Sequence, residues 1–348
     1  MAGARRPTVR DIARHAGVSV ATVSRVSRDD PKVRPETRAR VRQSIDALGY
    51  TPSALGLGLA IQRHHALGIV LPGLGGPYFA ELVQGIESVA VGTGLAVTVL
   101  GTHLRPDADR AVRQLAQRTD ALIVQAGTVE DELLDTIAAS LPVVVVAGTS
   151  RRLTTVRTDG AAAAHEITAH LLQVHGYRRL RFVGTPDGSP DPTSRYEGFR
   201  RALAEHGLVE SGGPLRFGFE ATSGALAARE LHARGDLPDA LVCANDELAV
   251  GLLATLPGLG HAIPGEVAVV GFDDNALAGL ASPMLTTVHQ PVFEIGATAA
   301  RLALAPDGPP PRPDSHVLET WTVVRESCGC PPVVGGPIDA TEKTGASA

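Results

Sequence analysis

From Ala66 onward, short β-branched and apolar runs alternate with stretches of helical periodicity, and this alternation constrains the fold more than any other feature of the chain. The runs are Leu67–Leu71, Leu95–Leu100, Ala121–Val124, Val143–Ala147, Leu180–Gly184, Leu215–Phe219, Ala240–Ala244 and Val267–Gly271. Amphipathic stretches fall between them, among them Tyr78–Val91, Ala161–His175, Ser194–His206 and Asp246–Leu256. Continuous apolar strands separated by helices predict parallel sheets buried on both faces. Roughly 260 residues of this pattern predict two doubly wound α/β lobes, with a ligand cleft at the carboxyl ends of their strands.

The first 50 residues follow a different period. Val9, Ile12, Ala13 and Ala16 recur at i, i+3, i+4 and i+7, which predicts one apolar helical stripe. Gly17 follows, a residue able to take positive φ and turn the chain. Ser19 then offers an N-cap hydroxyl to a second helix running to about Val26. Val18, Val23 and Val26 can face inward, which leaves Val20, Ala21, Thr22, Ser24 and Arg25 outward. Small residues that allow close approach, hydroxyls for phosphates and an arginine are what a recognition helix presents to DNA. A third helix fits Pro35–Leu48, closed by Gly49.

Charge supports this reading. Residues 1–65 hold twelve arginines and lysines against five acids, a net of +7, while the rest holds 20 basic against 32 acidic residues, a net of −12. A basic head on an acidic body fits an all-α DNA-binding domain joined to a regulatory domain. No run approaches the ~20 apolar residues of a membrane span, and no signal-peptide pattern precedes the first helix, so the chain reads as cytoplasmic. Three cysteines make no disulfide framework. Cys243 lies in an apolar run and reads as core. Cys328-Gly-Cys330 has the composition of a metal or redox pair, but no histidine cluster accompanies it in sequence and its flanks read as a tail. No metal or cofactor is therefore expected.

Two rival readings are weaker. Gly73-Leu-Gly75-Gly-Pro77 stands between a strand and a helix as a dinucleotide-binding turn would, but Tyr78 occupies the third glycine's place. The next strand ends in Gly101-Thr-His103 rather than in a ribose-binding acid. An extracytoplasmic solute-binding protein would share the lobes but not the basic head. No nucleophile, triad or metal-ligand spacing argues for an enzyme.

At this point the residues resemble the lactose-repressor/galactose-repressor (LacI/GalR) family of bacterial transcription regulators, over roughly residues 7–326. The resemblance rests on Asp11-Ile-Ala, Gly17-Val-Ser-Val-Ala-Thr-Val-Ser-Arg25, Gly49-Tyr-x-Pro52, Pro77-Tyr-Phe79 and Gly176-Tyr-Arg-Arg-Leu180. It continues through Arg195-x-x-Gly-Phe199, Ala244-Asn-Asp246, Gly271-Phe-Asp-Asp274 and Leu285-Thr-Thr-Val-x-Gln-Pro291. It implies a repressor that binds a pseudo-palindromic operator as a homodimer or a dimer of dimers, away from any membrane. A small-molecule effector, a carbohydrate or nucleoside, is implied between the lobes.

The implied domains are a helix-turn-helix head over 1–52, a hinge helix and linker over 53–65, a two-lobed effector and dimerisation domain over 66–326, and a disordered tail over 327–348. DNA contacts are implied at Thr8, Ser19, Val20, Ala21, Thr22, Ser24, Arg25 and Arg28, with Lys32, Arg34 and Thr37 on phosphates and Leu59 as a minor-groove wedge. Effector contacts are implied at Tyr78, Phe79, Arg195, Phe219, Asn245, Asp246 and Asp273. The chain departs from the family in two places. Gly56 and Gly58 stand where hinge-helix formers are usual, each costing about 1 kcal/mol of helix stability. After Val146 the chain reads Ala147-Gly-Thr-Ser150, where an acid and an arginine are common, so the cleft is expected to lose one hydroxyl acceptor.

Overall fold

The computed structural model describes residues 7–27, 30–50, 64–187, 189–305 and 314–331. Arg28, the hinge glycines Gly56 and Gly58, and Leu59 lie outside the described residues.

The head is three helices, α1 (Val9–Ala16), α2 (Val20–Ser27) and α3 (Pro35–Leu48). Ile12, Ala13, Ala16, Val23, Val26 and Val41 form its core. Gly17 takes φ +63° and turns α1 toward α2, while the Val18 amide donates to the Ala13 carbonyl at 3.0 Å. The Ser19 hydroxyl accepts from the Thr22 amide at 3.1 Å, as a cap should. The Thr8 amide and hydroxyl both donate to the Asp11 carboxylate, at 2.9 and 2.7 Å, a second cap that fixes the start of α1. His15 contacts the Ser44 hydroxyl at 3.0 Å and ties α1 to α3.

The first lobe is built on a six-stranded parallel sheet in the order β10-β5-β4-β3-β1-β2. Its strands are β1 (Ala66–Leu71), β2 (Ala96–Gly101), β3 (Ala121–Gln125), β4 (Val143–Val146), β5 (Thr154–Thr158) and, from far along the chain, β10 (Ser315–Leu318). Alternate residues point to opposite faces. Leu67, Ile69, Ile123, Val144 and Val146 pack with α4 (Pro77–Thr93) and α12 (Val292–Ala303). Val70, Leu122, Val124, Val143 and Val145 pack with α5 (Ala108–Ala116) and α6 (Asp131–Ala138).

The second lobe carries a parallel sheet in the order β6-β7-β8, from β6 (Leu180–Val183), β7 (Ala240–Cys243) and β8 (Ala268–Val270). Around it lie α7 (Gly160–Val174), α8 (Pro190–Glu205), α9 (Ala221–Arg234), α10 (Asp246–Thr255) and the short α11 (Ala276–Leu280). Leu215–Phe219, expected as a strand, contributes only a bridge between Leu215 and Val183. Pro214 precedes it and Gly218 interrupts it, and both residues weaken a strand. An antiparallel ribbon of β9 (Thr287–His289) and β11 (Trp321–Val323) completes this region.

The chain therefore passes between the lobes three times, after β5, between β9 and α12, and between β10 and β11. The packed body also runs past its expected end at residue 326. Ser327 and Cys328 are fully buried, and the Ser327 hydroxyl accepts from the Thr286 amide at 2.9 Å. Residues 327–331 thus belong to the second lobe rather than to a tail.

Candidate functional site: a charged cleft between two lobes

The carboxyl ends of the strands deliver polar residues to one cleft, as a doubly wound architecture dictates. Gln125 ends β3, Thr158 ends β5, Asn245 follows β7 and Asp273 follows β8. Tyr78 stands in the first turn of α4, and Asp191 and Arg195 face the cleft from α8.

Arg195 is the centre of this group. Its guanidinium donates to the Ala244 carbonyl and, at 3.3 Å, to the Asp191 carboxylate, and lies 3.6 Å from the Asp273 carboxylate. It also sits 4.0 Å above the Phe272 ring, which fixes the plane of the fork. Burial pushes the Asp273 carboxyl up to about 7, against the opposing pull of Arg195 and a hydrogen bond from Gln290. Burial likewise raises the Asp191 carboxyl, with Arg195 opposing. Burial first, and then the charges of Asp191 and Asp273, raise the Tyr78 phenol.

Among the described residues, Tyr78 Oη, Gln125 Oε1 and Arg195 Nε are buried without a hydrogen-bond partner. Tyr78 stands beside Gln125 without meeting hydrogen-bond geometry. Groups so placed are costly unless a ligand completes them. Tyr78 and Phe79 meet edge to face at 5.3 Å, and both are half-buried, as is Phe219.

Asn245 and Asp246 do different work from Arg195. Asn245 caps α10 by accepting from the Leu248 amide at 3.1 Å and donates to the Phe219 carbonyl at 3.0 Å. Asp246 is fully buried, and its two oxygens accept from the Asn275 amide and the Thr287 hydroxyl. It therefore holds the 271–275 loop in place. That loop is strained, with Asp273 at φ +119° and Asp274 at φ +57°, values a non-glycine residue rarely takes. Asp274 is held by Arg325 at 2.7 Å and His289 at 3.0 Å.

The segment after β4 is tightly packed. Ala147 is buried at φ +57°, and a Cβ on Gly148 would lie 2.3 Å from that of Ala126 and 3.4 Å from that of Pro190. No acid fits there. Three cleft residues escaped the sequence reading: Gln125, Asp191 and Gln290. Gln125 is the polar last residue of an apolar strand, and Gln290 lies inside the Leu285–Pro291 motif, so both leave a trace in the sequence. Asp191 reads as an ordinary first-turn acid. A separate depression of about 450 Å³ opens at the other ends of β1, β3 and β4, beside His64, Asp120 and Pro142. None of its lining atoms is buried and unpartnered.

On the head, Ser19, Val20, Ala21, Arg25, Lys32 and Arg34 are exposed, while Thr8, Thr22, Ser24 and Thr37 are half-buried. Ser19 and Thr22 hydroxyls meet at 2.9 Å, and Thr8 is engaged by Asp11.

A helix-turn-helix head joined to a two-lobed α/β body with a polar cleft defines a DNA-binding regulator with a ligand-binding domain. The chain belongs to the lacI family of bacterial regulatory proteins. The model of that family matches residues 8–53, and a periplasmic binding protein-like domain matches 168–328. The HTH-type transcriptional regulator GalR of Salmonella typhimurium (strain SL1344) is 34% identical over 94% of this chain and 98% of its own length. The structure of a transcriptional regulator CelR–cellobiose complex is 28% identical, with a TM-score of 0.68 over 92% of this chain and 100% of that one. The lac repressor dimer bound to operator and the anti-inducer ONPF shares the fold, at a TM-score of 0.76 and 23% identity over 93% of this chain and 99% of that one. Among the described residues no helix is long and apolar enough to cross a membrane.

Proposed function

We propose that this chain is an effector-controlled repressor that binds a pseudo-palindromic operator as a homodimer in the cytoplasm and catalyses no reaction. Its effector is a polyhydroxylated small molecule, a carbohydrate or nucleoside, held between the lobes. The observation that carries this reading is the meeting of three buried, unpartnered polar atoms, on Tyr78, Gln125 and Arg195, beside the carboxylates of Asp191 and Asp273. Vicinal hydroxyls both donate and accept, so they can satisfy a guanidinium, an amide oxygen and a carboxylate together. Tyr78, Phe79 and Phe219 supply ring faces for the apolar side of a sugar. The cellobiose bound by one relative and the operator-bound dimer of another support the same roles here.

On the head, Val20 and Ala21 would meet thymine methyls, Arg25 a guanine edge or phosphate, and Lys32, Arg34 and Thr37 phosphates. Thr8, Ser19, Thr22, Ser24 and Arg28 would add polar contacts, and Leu59 the minor-groove wedge. Asp246 serves the pocket by positioning Asp273. The test is selection of an operator from a random DNA pool, followed by titration of the complex with sugars and nucleosides at fixed salt. A palindrome whose affinity changes with one of these ligands is expected. A palindrome that none of them perturbs would overturn the effector assignment, and failure to select any sequence would overturn the operator assignment.

A further inference from the structure

Cys328 and Cys330, separated from α7 by most of the second lobe's sequence, lie against its carboxyl end. His170 Nε2 and His175 Nε2 are 3.7 and 3.5 Å from Cys330 Sγ, across sequence separations of 160 and 155 residues. One donor atom from each of His170, His175, Cys328 and Cys330 falls within 4.8 Å of the other three. The missing histidine partners of the Cys-Gly-Cys motif are therefore present, supplied by the fold rather than by the neighbouring sequence.

We propose that these four residues form a tetrahedral S₂N₂ site for Zn²⁺. With Zn–S near 2.3 Å and Zn–N near 2.0–2.1 Å, the nitrogen–sulfur edge of a tetrahedron is about 3.6 Å. The two nitrogen–sulfur distances in the structure bracket that value. Two thiolates with two imidazoles are the donor set of structural zinc, and His-x₄-His lies within the usual histidine spacing.

The surroundings hold the donors in place. The His175 ring stacks on Tyr177 at 5.3 Å, and the Tyr177 hydroxyl donates to the Cys328 carbonyl at 3.0 Å. Such outer contacts orient metal ligands before the ion arrives. Gly329 has φ +107°, and a Cβ there would stand 3.1 Å from Tyr177 Oη and 3.2 Å from His175 Nδ1. Glycine between the cysteines thus lets the turn lie against the imidazole with both thiols in reach. Upstream, the Ser327 hydroxyl joins the Thr286 amide and the Val269 carbonyl, so the donor segment is anchored in the lobe. A bound ion would staple the segment after β11 to α7, independently of any effector.

The test uses the full-length protein, fully reduced, stripped with a chelator and dialysed against ZnCl₂. One zinc per chain is expected, with a rise in melting temperature on loading. Substitution with Co²⁺ is expected to give tetrahedral d–d bands and a thiolate-to-cobalt charge-transfer band. Cys330→Ser and His170→Gln should each weaken zinc at least tenfold in chelator competition, whereas Cys243→Ser, outside this group of four, should not. Retention of operator binding by the variants would show that they fold. Absence of stoichiometric zinc, a Co²⁺ spectrum without the thiolate band, or unchanged affinity in both site variants would overturn the site. A Cys328–Cys330 disulfide whose reduced form takes up no zinc would replace it with a redox pair.

Discussion

Asp273 is a buried acid on a strained backbone, and the strain and the burial act on the same side chain. In the folded chain its carboxyl keeps its proton up to about pH 7, whereas in an unfolded chain it ionises near 4. Between those values folding takes up a proton, so this group's contribution to stability falls as pH rises from about 4 to about 7. Asp273→Asn should flatten that part of the curve, read as the change in urea midpoint between pH 5 and 7.5 against the parent chain. An effector whose hydroxyls donate to Asp273 needs the carboxylate, so its affinity should rise with pH through about 7 and lose that dependence in the same variant. Arg195 and Arg25 separate the two binding sites. Arg195→Ala leaves Asp191 and Asp273 facing each other without a cation, and should abolish the effector response while operator affinity persists. Arg25→Ala should weaken the operator by roughly ten- to a hundredfold, as loss of a bidentate base contact does, with effector affinity unchanged in calorimetry.

At the scale of elements, α4 and α12 cross so closely that glycines are needed at the contact. A Cβ on Gly85 would lie 2.0 Å from the Phe293 carbonyl oxygen, and one on Gly296 would lie 2.2 Å from that of Leu82. Both obstacles are backbone, which cannot swing aside. Gly85→Ala or Gly296→Ala should each cost about 1–3 kcal/mol, as overpacking does, measurable by urea denaturation. The same elements show what the sequence disclosed. β1, β3 and β4 were legible because they are buried on both faces and so carry unbroken apolar runs. β5 reads Thr-Thr-Val-Arg-Thr, with Val156 its one aliphatic residue, and was hidden by its threonines. The helix-turn-helix was legible because its turn, cap and stripe all fall within twenty residues. Arg195 and Asp273 could be chosen through family motifs, while Asp191 and the pairing of Cys330 with His170 depend on tertiary contacts that no local pattern encodes.

At the scale of the whole molecule, a hydrogen-bonded chain leads from the cleft to the crossings between lobes. Gln290, in the crossing between β9 and α12, donates to Asp273 at 2.7 Å and accepts at 2.7 Å from Thr158, which ends β5 at the first crossing. A ligand on Asp273 therefore acts on a group shared by the connecting segments, which is what coupling of cleft to head requires. Thr158→Val removes one link while leaving Arg195, Asp191 and Asp273 in place. The ratio of operator affinities with and without effector should move toward unity, with effector affinity held within about threefold by equilibrium titration.

The three crossings also fix an order of assembly during synthesis. The first lobe begins with β1, yet its α12 and β10 leave the ribosome only after the β6–β8 sheet of the second lobe. Until then the face formed by Leu67, Ile69, Ile123 and Val144 lacks the helix carrying Val292, Ile295 and Ala299. A nascent chain stopped at Gln290 should accordingly be cut by protease first between β1 and β5, while β6–β8 stay protected. The lobe that is translated first thus waits for segments made long after it, and for most of its synthesis it is a client for any chaperone that binds exposed aliphatic strands.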